Sequence, residues 1–377
     1  MLARHSPGNR CAEAAAFRRM DGVRPGGLPV PATPSTVTAG SSPLQRLDPA
    51  EVKAAADRTA GHIRPVSVVP VEPGGVLTAR GGRGPGREDP EPYRLWLALE
   101  QMQHTGSYKA RGAWNFVAAH RDAGTLPAAG VTIASGGNAG LACAWAARRC
   151  GARATVFLPA TAPEIKVERL RGYGAEVRLT GSTYAEALAA CEEFAASTGA
   201  LRSHAYDHPL IAAGAGTLAE EIRQRVPEAD TLVVAVGGGG LFAGVATAAG
   251  RHGLRTVAVE PEHCRALNAA VEAGRIVDVT VDSVAADSLG APRTSEMALS
   301  AALGGDARSV LVPDAEIVRA RRALWDDRRL VVETGAASAL AALTAGEPYG
   351  YRPSPGENVV VVLCGANTDP GDLVERD

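Results

Sequence analysis

Lysine stands at only three positions of this 377-residue chain, Lys53, Lys109 and Lys166, while 36 arginines carry the rest of the basic charge. A guanidinium stays protonated in proteins and forms no Schiff base, whereas a desolvated lysine amine can lose its proton and attack a carbonyl. The segment Thr105-Gly106-Ser107-Tyr108-Lys109-Ala110-Arg111-Gly112-Ala113 sets one of the three beside glycines. A second segment, Val236-Gly237-Gly238-Gly239-Gly240-Leu241, puts four consecutive glycines between a strand-like run and a helix-like run. Such a run lets successive backbone N–H groups converge on one point, and the helix N-terminus adds positive potential, which suits a phosphate. The segment Ala134-Ser135-Gly136-Gly137-Asn138-Ala139-Gly140 makes a similar turn and could hold a carboxylate on its amides. A fourth, Cys364-Gly365-Ala366-Asn367, closes the last strand-like run.

The glycine run alone does not say which phosphate. Gly238-x-Gly240-x-x-Ala243 fits the dinucleotide fingerprint, and Glu260 lies 22 residues after Gly238, where a ribose-binding acid would stand. On the glycines alone a nicotinamide-dependent dehydrogenase is a real competitor.

The elements that must position these segments alternate. Strands are predicted at 131–134, 154–158, 176–180, 231–236, 256–260 and 358–363. Helices are predicted at 139–150, 163–173, 184–198, 211–225, 241–251, 314–327 and 335–345. Another helix follows Asp48 as its N-cap, with Pro49, Ala50 and Glu51 in the first turn. This alternation predicts an α/β protein with a parallel sheet covered on both faces and ligands at the C-terminal strand ends. Residues 1–45 read as a tail, and 73–92, rich in Gly, Pro and Arg, as an exposed loop. His204 and His208 are four apart, but Asp207 and Pro209 argue for a loop holding satisfied histidines, not a metal pair.

Composition removes other classes. Net charge is -2, which excludes a nucleic-acid binder driven by bulk positive charge. No apolar run reaches the ~18 residues of a membrane span. The six cysteines form no CxxC pair, so neither a disulfide framework nor a thiolate metal site is expected. No apolar segment follows the basic first residues, and the protein reads as cytoplasmic.

Taken together and in order, the motifs resemble those of the fold-type II pyridoxal-phosphate enzymes, and within them the serine/threonine dehydratase (threonine ammonia-lyase) family. TGSYKARGA is similar to the family's T-G-S-F-K-x-R-G-A, with Tyr108 for Phe, and SGGNAG resembles the asparagine loop. GGGGL resembles the phosphate loop, Val332-Glu333-Thr334-Gly335-Ala336-Ala337 the E-P-x-x-A segment, and LCGAN the final L-S-G-[GA]-N. The resemblance spans about residues 46–370 and outweighs the dinucleotide reading, which explains neither Lys109 nor the asparagine loop. It implies a two-domain α/β fold like the tryptophan synthase β chain, with parallel or mixed sheets flanked by helices. A large domain of 46–120 plus 212–377 and a small mobile one of 121–211 are expected.

The resemblance also implies roles. Lys109 would form the Schiff base with pyridoxal 5'-phosphate and then act as base at the substrate Cα–H. Gly237, Gly238, Gly239, Gly240 and Leu241 would hold the cofactor phosphate. Asn138 would bond the ring hydroxyl, Tyr108 would pack near the ring, and Cys364 would face the pyridine nitrogen. Ser135, Gly136, Gly137, Asn138 and Ala139 would receive the amino-acid substrate. The implied reaction is α,β-elimination from L-threonine or L-serine to 2-oxobutyrate or pyruvate and ammonia, by a homodimer. Related serine racemases carry Ser where this chain has Gly136, which argues against racemisation. Some relatives bind a divalent cation through a Glu matched by Glu260 and an Asp six residues on. Here that place is Ala266, so no metal is expected. About ten residues follow Asn367, so the regulatory domain of the biosynthetic deaminases is not expected. β-Replacement on the same scaffold and a non-catalytic cofactor-binding protein stand as alternatives.

Overall fold

The computed structural model describes residues 44–72 and 93–374. The expected tail, but for its last two residues, and the 73–92 loop lie outside the described residues. The described strands are β1 Val68–Val71, β2 Arg94–Ala98, β3 Val131–Ala134, β4 Ala154–Leu158, β5 Glu176–Leu179, β6 Leu201–Arg202, β7 Thr231–Ala235, β8 Arg255–Pro261, β9 Ala307–Val312 and β10 Asn358–Val362.

They form two sheets. Six strands run in the order β1-β2-β10-β7-β8-β9, and four in the order β5-β4-β3-β6. The four-stranded sheet is parallel throughout, whereas β1 pairs antiparallel with β2, so the larger sheet is mixed. The inner strands β7 and β10 read TLVVA and NVVVV, nearly unbroken apolar runs, because helices cover both of their faces. Two large apolar clusters result. One surrounds the six-stranded sheet, and the other joins β3 and β4 to the helices Lys109–Asp122 and Asn138–Arg149.

Local chemistry sets the helix ends. Asp48 caps the helix Pro49–Thr59 by accepting Ala50 N–H, and Glu51 reaches back in a full capping box. Thr183 and Glu186 do the same for Tyr184–Thr198. Most predicted elements appear within a residue or two of their expected bounds. The strands β1, β2, β6 and β9 and the helices Lys109–Asp122, Ala266–Ala273, Ala286–Leu289, Glu296–Gly304 and Gly371–Val374 are additions. Among the described residues no helix is long and apolar enough to cross a membrane.

The C-terminal ends of the inner parallel strands meet. β7 opens into the glycine run, β3 into the asparagine loop, and β10 into Cys364. In parallel sheets this is where ligands bind.

Candidate active site

The lysine segment is stitched to the end of β10. Tyr108 N–H donates to Cys364 O at 3.0 Å, Ala366 N–H to Gly106 O at 2.9 Å, and Ser107 bridges Gly365 antiparallel. Lys109 therefore begins its helix beside Cys364, although the two lie far apart in the sequence. Its ε-amino group donates to Ala205 O at 2.6 Å and lies 5.0 Å from the centre of the Tyr108 ring. Desolvation pulls the Lys109 pKa down to about 8, against the upward pull of Cys364 and Glu333. An amine so placed is in part neutral, and nucleophilic, near neutral pH.

The turn that supplies Ala205 O is built by His204. Its Nδ1 accepts N–H from Tyr206 at 3.2 Å and from Asp207 at 2.8 Å. Burial, and then the charge of Lys109, pull its pKa down to about 4, so the ring is neutral and can accept. His208 accepts Leu210 N–H and caps the helix Pro209–Arg225. Both histidines are thus satisfied in turn and cap roles, as expected. The Tyr206 ring lies across Gly238, and its hydroxyl donates to Arg293 O at 3.2 Å.

The glycine run turns sharply. Gly239 sits at φ +91°, a left-handed conformation that disfavours any side chain, and caps the helix Gly240–Gly250. A Cβ there would collide with Ala298 and stand 2.8 Å from Thr294 Oγ1. The Thr294 hydroxyl is buried and has no hydrogen-bond partner. The first N–H groups of a helix have no partner within it either. A bare backbone cradle at a helix N-terminus with an orphaned buried hydroxyl beside it fits a phosphate group. Ser107 Oγ, two residues before Lys109, is a second orphaned buried hydroxyl.

Across the site, Asn138 opens the helix Asn138–Arg149. Its Nδ2 lies 3.0 Å from both Glu333 carboxylate oxygens, and its Oδ1 accepts from Asn367 Nδ2 at 2.6 Å. Asn367 Nδ2 also donates to Thr105 O at 2.7 Å, which ties the asparagine loop to the lysine segment. Glu333 is buried, and its N–H donates to Gly365 O at 3.0 Å. Burial pushes its carboxyl up from the usual range, and burial pushes the Cys364 thiol well up. Ser135, Gly136 and Gly137 keep partial exposure beside Asn138, and Ser135 Oγ accepts Gly137 N–H at 3.4 Å. Ala139, the next residue, is buried. A cavity of about 370 Å³ opens on Gly136, Gly137 and Asn138. A smaller one of about 200 Å³ lies between Lys109 and Gly240 and is lined also by Tyr108 and Leu241.

The structure thus brings the lysine, glycine-run, asparagine-loop and cysteine segments into one region. It leaves Glu260 out of that linked set. Glu260 is fully buried near the end of β8, where it accepts the N–H groups of Leu267 and Asn268 at 2.8 and 2.7 Å. Desolvation pushes its carboxyl up to about 8, and its visible task is to cap the helix Ala266–Ala273. Among the described residues no group of three or more His, Cys, Asp or Glu is arranged to hold a metal ion.

Residues 85–365 match a family described as pyridoxal-phosphate dependent enzyme. The chain belongs to this family. It is 37% identical over 283 residues to a human protein named serine dehydratase-like, covering 72% of this chain and 85% of the relative. It is 37% identical over 279 residues to an L-threonine ammonia-lyase of Geobacter sulfurreducens, covering 73% and 67%. Among solved structures it is similar to maize serine racemase, with a TM-score of 0.77 at 26% identity over 87% of this chain and 96% of the other. It is also similar to threonine deaminase isoform 2 of Solanum lycopersicum, with a TM-score of 0.74 at 26% identity over 91% and 93%. The fold is that of the fold-type II pyridoxal-phosphate enzymes, and the cofactor is pyridoxal phosphate.

Three contributors went unassigned in the sequence. Glu333 lay in a quoted motif without a task. Thr294 and Ala205 carry no local signal, because one acts through its place beside Gly239 and the other through a backbone carbonyl.

Proposed function

We propose that this protein is a lyase that removes the β-hydroxyl and the amino group of L-serine or L-threonine, giving pyruvate or 2-oxobutyrate and ammonia. The observation that carries this reading is Lys109. It is a partly neutralised amine placed between a bare glycine cradle and a polar asparagine loop, in a chain similar to enzymes named for these reactions.

Bound at the cradle, pyridoxal phosphate supplies an electron sink for bond cleavage at the substrate Cα. The backbone of Gly237, Gly238, Gly239 and Gly240, with Leu241 and the Thr294 hydroxyl, would hold its phosphate. Lys109 would anchor its aldehyde, Asn138 its ring hydroxyl and Tyr108 one side of its ring. Cys364 would meet the ring nitrogen. Its thiol stays protonated at neutral pH because burial raises its pKa, so it is at most a neutral donor to that nitrogen. A neutral partner suits elimination over chemistry that needs a long-lived carbanion. The amides of Ser135, Gly136, Gly137 and Asn138, at a helix N-terminus, would hold the substrate carboxylate, with Ala139 behind them. Lys109 Nζ would then take the Cα proton. A homodimer goes with the family resemblance, and sedimentation velocity measures it.

The test is release of 2-oxo acid and ammonia in equal amounts from each amino acid. Lys109→Ala should lose about a thousandfold or more while keeping its far-UV spectrum. Full turnover by that variant would sink the assignment. Gly136 offers no proton, so we expect no D-serine to accumulate from L-serine. Chiral chromatography that finds racemisation on the timescale of elimination would contradict this part.

A further inference from the structure

Between β6 and the helix Pro209–Arg225 the chain makes a short turn, Ser203 to Asp207, that touches both ends of the candidate site. Its start is fixed to β3, because Ser203 N–H donates to Thr132 O at 2.8 Å. Its middle meets the amine, because Ala205 O accepts from Lys109 Nζ at 2.6 Å. The next residue meets the glycines. A Cβ at Gly238 would stand 2.4 Å from three carbons of the Tyr206 ring, and one at Gly240 would stand 2.7 Å from Tyr206 O. The Tyr206 hydroxyl is tied down in turn by Arg293 O at 3.2 Å. One peptide, Ala205–Tyr206, therefore reaches the lysine on one side and the glycine run on the other.

His204 gives that peptide its shape. Its Nδ1 accepts N–H from the residues two and three places on, Tyr206 at 3.2 Å and Asp207 at 2.8 Å. This is the way an Asn or Asp side chain closes a turn on its own backbone. Two N–H groups aimed at one ring nitrogen require it to carry no proton. Burial and the charge of Lys109 keep the ring neutral, so the lone pair is available. The ring also packs edge-on against Tyr206, with centroids 4.8 Å apart. We propose that His204 is a positioning residue for the cofactor, coupling the seat of the Lys109 amine to the seat of the phosphate through the Ala205–Tyr206 peptide. This rests on the reading of Lys109 and the glycine run as the cofactor site, and not on which amino acid is consumed. Without the side-chain acceptor the N–H groups of Tyr206 and Asp207 lose their partner. The turn would then relax, and both Ala205 O and the Tyr206 ring would shift together.

The experiment uses the full-length protein, first loaded with cofactor and then stripped of it. Pyridoxine 5'-phosphate carries the phosphate but no aldehyde, and pyridoxal carries the aldehyde but no phosphate, so the two probes report the two seats separately. Calorimetric titration gives Kd for the first, visible absorbance gives Kd for the second, and dilution of the loaded enzyme gives the rate of cofactor loss. In His204→Leu both probes should bind roughly ten- to hundredfold more weakly, and the loaded enzyme should lose cofactor faster. His204→Asn, whose Oδ1 can stand where Nδ1 stands, should recover both affinities. Should His204→Leu not keep its far-UV spectrum, His204→Gln, whose longer side chain misplaces the acceptor, takes its place. A folded variant that weakens one probe only, or neither, overturns the coupling. A folded His204→Asn as weak as His204→Leu overturns the acceptor role. Wild-type protein that binds neither probe overturns this proposal and the cofactor-site reading together. Probe binding as expected with no turnover of serine or threonine sinks the elimination reading alone and supports the role of His204.

Discussion

Lys109 is the residue on which the proposed chemistry turns, and its scarcity made it legible. With three lysines in the chain, a primary amine beside glycines stands out by residue type and neighbours alone. Its state did not show in the sequence, because its burial and the opposing pull of Cys364 and Glu333 come from segments that the fold brings in from afar. A pKa of about 8 predicts a sharp pH dependence. The reactive form is the neutral amine, so acylation of Lys109 in cofactor-free protein should rise with pH to half its maximum near pH 8. Peptide mapping can separate the three lysines. A midpoint near the ordinary lysine value of about 10.4 would contradict the desolvated setting. Glu333 shows the converse limit. Its partner Asn138 is 195 residues away, so a motif could be quoted for it but no task assigned.

At the scale of elements, the inner strands were legible as short, nearly unbroken apolar runs, and the amphipathic helices by their apolar period. The helix Lys109–Asp122 was not, because it is buried nearly all round from Ala110 to Ala118 and shows no polar face. β1 and β9 are edge strands with broken apolar patterns, including Pro70 in β1 and Arg308 in β9, so they carried no clear alternation. What fixes the lysine helix is Arg111. Its guanidinium is fully buried, bonded twice to buried Glu100 at 2.7 and 2.8 Å, and bonded to Glu221 and Thr217 of the helix Pro209–Arg225. Arg111→Ala would leave Glu100 buried without its counter-charge, so we expect about 3–5 kcal/mol of destabilisation. Urea unfolding measures it, and a loss below about 1 kcal/mol would show that the network does not hold the helix. Gly239→Ala acts differently. It strains a left-handed turn and collides with Ala298, so cofactor retention on dialysis should fall well before the secondary structure does.

At the scale of the molecule, function depends on two sheets whose strand ends face one site. Alternation in the sequence announced the α/β class. It did not announce two separate sheets, because strand order is set by pairing between distant segments such as β2 with β10. The outer link across the cavity, Lys166 to Asp287, is solvent-exposed on both sides, so Asp287→Asn should change stability by less than ~1 kcal/mol in thermal melts. Asn138 links to Glu333, and Lys109 to Ala205, by part-buried hydrogen bonds in the region where the proposed chemistry would sit. The most direct test of that chemistry is the visible absorbance of the purified, cofactor-loaded protein before and after L-threonine and then L-serine. A band that is present in the wild type, absent in Lys109→Ala and altered by substrate as 2-oxo acid and ammonia appear is the predicted result. A protein that shows no band after cofactor is supplied, or a band indifferent to both amino acids, would contradict it.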